Sequence, residues 1–158
     1  MKLVHDNLTN SEVQWLLKTT KHPISNAELR KIEKKIAAQR KGVLRVDIDV
    51  VGAGDELVLQ YYRRMKKQIK YSISLRFKND GTQLIRLDIG GKHKNHEDLV
   101  TQTYNHMHVY SAHNHNHTEN AQAISADDFQ TVEEPLQTFI DFLKFVNIQM
   151  NLKGVEEK

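Results

Sequence analysis

No cysteine occurs anywhere in the chain, which excludes a disulfide framework, a thiolate nucleophile and any cysteine-ligated zinc or iron–sulfur site. No run approaches the ~18 apolar residues that a membrane span requires. The N-terminus, Met1 to Asp6, turns polar too quickly for a signal peptide, so a cytoplasmic protein is expected. P-loop, GxGxxG, GxSxG and HExxH patterns are absent as well. Hydrophobic residues are sparse at 39%, but they fall in patterned runs, and 158 residues suit one domain. Residues 1–152 are expected to form it, with 153–158 a frayed tail.

Charge is unevenly placed. Residues 1–78 carry 17 Lys and Arg against 8 Asp and Glu, whereas residues 79–158 carry 6 against 12. Either a polyanion-facing surface lies opposite an acidic one, or the two halves interleave into a mixed surface.

The periodicity predicts an α+β domain: an antiparallel sheet of about five strands, two N-terminal helices and one C-terminal helix. Asn10 or Ser11 caps a first helix that His22-Pro23 ends, and Ser25 with Glu28 opens a second. Strands follow over Val43–Val50, Leu57–Tyr61, Ile69–Phe77 and Leu84–Ile89, with Asn79-Asp80-Gly81 a hairpin turn. Gly90-Gly91 is expected to end the fourth strand, and Lys92–Asn105 to be a polar connection. His106–Ala112 reads as a fifth strand. Thr131 with Glu134 forms a capping box before a last helix bearing Leu136, Phe139, Ile140, Leu143, Val146 and Met150.

What the chain has in excess is histidine. His106, His108, His113, His115 and His117 lie within twelve residues, and His93 and His96 lie just upstream. On a strand, His106, His108 and Tyr110 share a face about 6–7 Å apart. Two imidazoles so placed act as general acid and base near neutral pH, and RNA suits them because its 2′-hydroxyl is a built-in nucleophile. Arg86 and Asp88, on the outward face of the neighbouring strand, can stabilise charge and orient an imidazole. The alternative is a metal site of His106 and His108 with His93, His113 or His115. No carboxylate follows the pair at the spacing a cupin needs, so no cofactor is expected and catalysis should survive chelation. The Asn-His repeat at 113–117 taken alone reads as a solvated low-complexity loop.

The stretch Tyr61–Tyr71 interleaves cations with aromatics, which suits phosphate neutralisation with base stacking or, equally, a solvated hairpin. Arg63, Arg64, Lys66 and Lys67 are its candidate phosphate ligands. The expected function is a small histidine-dependent nuclease acting on RNA, of toxin or phage-associated type. His93, His106, His108, Tyr110 and Arg86 are its catalytic candidates. A binding protein that engages nucleic acid or a protein partner, for instance a phage anti-defence or regulatory factor, is the rival, and a small His-ligated metalloprotein is a third possibility.

The segment Arg86–Asn95 followed by His106-Met107-His108-Val109-Tyr110 resembles a family of small bacterial and phage proteins with a His-x-Asn turn before a His-x-His-x-Tyr strand. The resemblance covers mainly residues 44–150. It implies a site at His93, Asn95, His106, His108 and Tyr110, and this chain departs from it at His96 and in the His/Asn insertion after Ala112. More loosely, the order of elements looks like that of small ribonuclease toxins.

Overall fold

A computed structural model describes residues 7–94, 101–112, 117–118 and 121–151, with backbone alone at 91–94 and 101–104. Helix α1 spans Asn10–Lys18. Its cap is Thr9, one residue before the expected position: the Thr9 hydroxyl accepts from Glu12 N at 3.1 Å, and Glu12 Oε1 accepts from Thr9 N at 2.9 Å. Asn10 is used differently, its Oδ1 accepting from Ala112 N at 3.0 Å. Helix α2, Asn26–Ala38, is capped by Ser25 as expected, and its buried stripe is Leu29, Ile32 and Ile36.

Seven strands form one antiparallel meander in chain order. They are β1 Lys21–Pro23, β2 Val43–Gly52, β3 Asp55–Arg64, β4 Tyr71–Phe77, β5 Gln83–Lys94, β6 Thr101–Val109 and β7 Gln122–Ala123. The α+β class and the antiparallel sheet agree with the sequence expectation, while the count exceeds about five. The additional strands, β1 and β7, are three and two residues long, too short to display a period. The β2–β3 loop has positive φ at both Ala53 and Gly54, the backbone of a tight hairpin whose twist matches the strands.

Helix α3, Pro135–Phe145, starts with its proline in the first turn. Thr131 does not cap it. The cap residue is Glu134, without a side-chain bond, and Thr131 instead offers its carbonyl to Glu134 N at 2.9 Å and to the Thr138 hydroxyl at 3.2 Å. The expected tail beyond Leu152 lies outside the described residues.

One face of the sheet is the core. Ile48, Val50, Leu59, Tyr61, Ile73, Leu75, Leu87 and Met107 are buried with α2 and with Phe139, Phe142 and Leu143 of α3. The opposite face carries polar rows set by the register. One row runs Arg45, Tyr62, Ser72, Asp88, His106, and the next runs Asp47, Gln60, Ser74, Arg86, His108. An antiparallel sheet commonly packs one face on the core and leaves the other polar.

The expected end of the fourth strand at Gly90-Gly91 is instead a bulge. Asp88 pairs with His106 but Gly91 pairs with Tyr104, so β5 carries an extra residue and continues to Lys94. Gly90 has φ 80, and a Cβ there would lie 2.1 Å from the Ile69 carbonyl oxygen. Much of the expected polar connection is therefore strand: Lys92–Lys94 closes β5 and Thr101–Asn105 opens β6, with 95–100 outside the described residues.

Candidate functional site

The register places Asp88 directly opposite His106 and Arg86 directly opposite His108. His106 Nε2 lies 3.2 Å from Asp88 Oδ2, and His108 Nε2 lies 3.3 Å from the same oxygen. The two rings meet edge to face with centroids 5.2 Å apart. Arg86 grips the carboxylate from outside: its Nε is 3.1 Å from Oδ1 and its Nη2 is 3.0 Å from Oδ2. His108 Nδ1 is 2.8 Å from the carbonyl oxygen of Thr118. That oxygen only accepts, so Nδ1 carries a proton.

His106 and His108 are buried, at 2% and 1% exposure, although they belong to the polar face. Thr118 and β7 lie against this end of the sheet. Burial alone would push the Asp88 carboxyl up. Hydrogen bonds from His106 and His108 and the Arg86 guanidinium outweigh it, holding the group far below the usual carboxylate range. Asp88 is thus an anion at neutral pH.

Asp88, Arg86 and His106 form one wall of a cleft of about 500 Å³. Arg64, Lys66 and Lys70 line it too, with Tyr62 and Ser72. Of the four cations expected to bind phosphate, Arg64 and Lys66 reach the cleft. Arg63 turns to the helix side, into a groove with Gln39 and Leu136, and Lys67 is exposed outside the cleft. Lys70, Tyr62 and Ser72 are additions. Lys70 belongs to the basic stretch, and its neighbour Ile69 lies directly against the bulge at Gly90. A separate cleft of about 600 Å³ is acidic, lined by Asp127, Asp128, Glu134 and Asp141. The uneven charge of the sequence is therefore visible as two clefts of opposite sign.

Tyr110 stands apart from the imidazole pair. Its hydroxyl accepts from Leu8 N at 3.0 Å and its ring stacks on His117 at 4.2 Å, so it ties the end of β6 to the start of α1. The His93 backbone pairs with Gln102, four residues along β6 from His106. The His93 side chain, and all of Asn95, His96, His113 and His115, lie outside the described residues.

Among the described residues, Asp88, His106 and His108 are the one group of three side chains whose donor atoms could share a metal ion, all within 4.8 Å of one another. No helix is long and apolar enough to cross a membrane among the described residues. No curated protein and no solved structure matches the chain. A family pattern matches residues 8–148, nearly the whole described fold, and the chain belongs to that family, the family of unknown function DUF6978.

Proposed function

We propose that the chain is a small cytoplasmic nuclease that cleaves nucleic acid, RNA by preference, of a toxin or phage-associated kind. One observation carries the reading: four cations, Arg64, Lys66, Lys70 and Arg86, line the same cleft as the ionised Asp88 and its partner His106. The three outer cations neutralise backbone phosphates, and Tyr62 offers a ring face to a base. Arg86, held beside the carboxylate, takes up charge that builds on the phosphoryl oxygens. His106, which lines the cleft and is held by Asp88, accepts the proton of the 2′-hydroxyl as that oxygen bonds to phosphorus. The bond from phosphorus to the 5′-oxygen breaks, and that oxygen leaves with the proton returned to it by the imidazole.

The test is cleavage of a labelled RNA by the wild type, Asp88→Asn and His106→Ala, with folding verified by circular dichroism. Each substitution is expected to slow cleavage by ~10²–10⁴. Absence of cleavage by the folded wild type, with and without added divalent ions, would overturn the reading. Nucleic-acid binding without cleavage is the second reading. It is favoured by the burial of both imidazoles, and retention of intact RNA would support it.

A further inference from the structure

The three donors at this centre are placed as ligands of one ion. Both histidine nitrogens approach the same oxygen of Asp88, at 3.2 and 3.3 Å. Ligands bound at about 2.0–2.1 Å in a tetrahedron stand about 3.3 Å apart, the separation found between each imidazole nitrogen and the carboxylate oxygen. The His108 ring is also oriented for this role: its Nδ1 donates to the Thr118 carbonyl, which aims Nε2 at Asp88 Oδ2 in a site where His108 is 1% exposed.

The surroundings match a metal site beyond its immediate ligands. A ligating imidazole generally donates its other N–H to a carbonyl or carboxylate, as His108 does to Thr118. A ligating carboxylate is itself held by a hydrogen-bond donor, and the Arg86 guanidinium holds both oxygens of Asp88, with Nε 3.1 Å from Oδ1 and 3.0 Å from Oδ2. The cleft is the entry path.

We propose that Asp88 Oδ2, His106 Nε2 and His108 Nε2 bind a divalent transition-metal ion, zinc in the first instance, with a remaining position open to the cleft. Two imidazoles and one carboxylate without sulfur suit zinc in its catalytic form, with three protein ligands and a water. Such an ion would bring its bound water to a pKa of about 7 and supply hydroxide at neutral pH, and with it bound this hydroxide, not an imidazole, would be the proton acceptor. Such a site departs from the expectation of chelation-resistant chemistry, which drew on the absence of cysteine, the lack of a carboxylate at cupin spacing and the histidines' neutral-range acid–base character. The carboxylate is supplied by the next strand. The inference rests on the geometry of the centre alone and holds or fails independently of nucleic-acid cleavage.

The full chain, stripped by chelator and dialysed, is titrated with zinc chloride by calorimetry, with bound metal counted by mass spectrometry. One ion per chain is expected. Asp88→Ala and His108→Ala should each weaken binding by more than about 100-fold, beyond what loss of an outer hydrogen bond causes. The double change His113→Ala/His115→Ala should leave it unchanged. Should the site variants fail to fold, the wild type loaded with cobalt(II) provides the second measurement. The intense visible absorption of a tetrahedral nitrogen–oxygen site is expected, and a weak spectrum resembling the aqua ion would overturn the proposal. So would zinc binding that survives Asp88→Ala and His108→Ala but is abolished by the change at His113 and His115. Zinc binding without RNA cleavage sinks only the nuclease reading, and cleavage by a chain that binds no zinc sinks only this one.

Discussion

Asp88 and His106 face each other directly across β5 and β6, with the carboxylate Oδ2 3.2 Å from the imidazole Nε2. They are 18 residues apart in the chain, and the bulge at Gly90 lies between them on the β5 side. The pair joins two otherwise separate features, a buried histidine cluster and a basic cleft.

The cleft makes a distinction among neighbouring cations. Charge reversal at Arg64, Lys66 and Lys70 is expected to weaken RNA binding and flatten its salt dependence, by about 0.7 in the log–log slope for each single-strand phosphate that is no longer neutralised. Arg63→Glu and Lys67→Glu should have smaller effects, because those side chains do not line the cleft. Affinities measured across a salt series for all five variants provide the check, and equal weakening by all five would remove the cleft from the binding account.

Tyr110 is expected to act in stability and not in chemistry. Tyr110→Phe removes the acceptor of the Leu8 N–H and should destabilise the fold by about 1–3 kcal/mol, the range for a buried donor left unpaired. Cleavage per folded molecule should be unchanged. Urea unfolding combined with the RNA assay separates the two, and a large drop in rate with normal stability would return Tyr110 to the catalytic group.

Lys21 gives the fold a pH signature. Its ammonium is wholly buried and donates to the carbonyls of Leu17, Thr19 and Val146, where the ends of α1 and α3 converge. Burial pushes its pKa down from 10.5 to about 8. Between these values the unfolded chain holds more protons than the folded one, so stability should rise from about pH 8 towards pH 10, by up to about 3 kcal/mol. Above about pH 10 the trend should reverse, since burial raises Tyr61 to about 12 and raises Tyr71 as well, and unfolding then releases protons. Urea midpoints across this range test the rise, and Lys21→Met should flatten it.

Gly90→Ala should unsettle the cleft without touching its charged residues. The φ of 80 is strained for alanine, and the added Cβ would sit 2.1 Å from the Ile69 carbonyl. Strain of this kind costs about 1–3 kcal/mol before the displacement of residues 69 and 70 is counted. A fall in melting temperature together with weaker RNA binding is expected. Unchanged binding at reduced stability would show that Lys70 is not positioned by the bulge.

The sequence by itself determined the fold class, the helices α1, α2 and α3, the hairpin turns and the histidine pair. Each is a local pattern: a period of two or 3.6, a cap, or a turn residue with its own backbone preference. Local patterns also misled where tertiary pairing overrode them. Gly90-Gly91 resembles a terminator but is a bulge, because β6 supplies partners beyond it and Asn105 Oδ1 accepts from Gly90 N at 3.1 Å. Thr131 and Glu134 have the spacing of a capping box, yet the Thr131 backbone forms the turn instead. Only the tertiary structure decided which groups share the centre. A carboxylate on β5 reaches two imidazoles on β6 through strand register, and a one-residue slip would send Asp88 to the opposite face. The separation of Arg63 from Arg64 has the same origin, since successive residues of a strand point to opposite sides of the sheet.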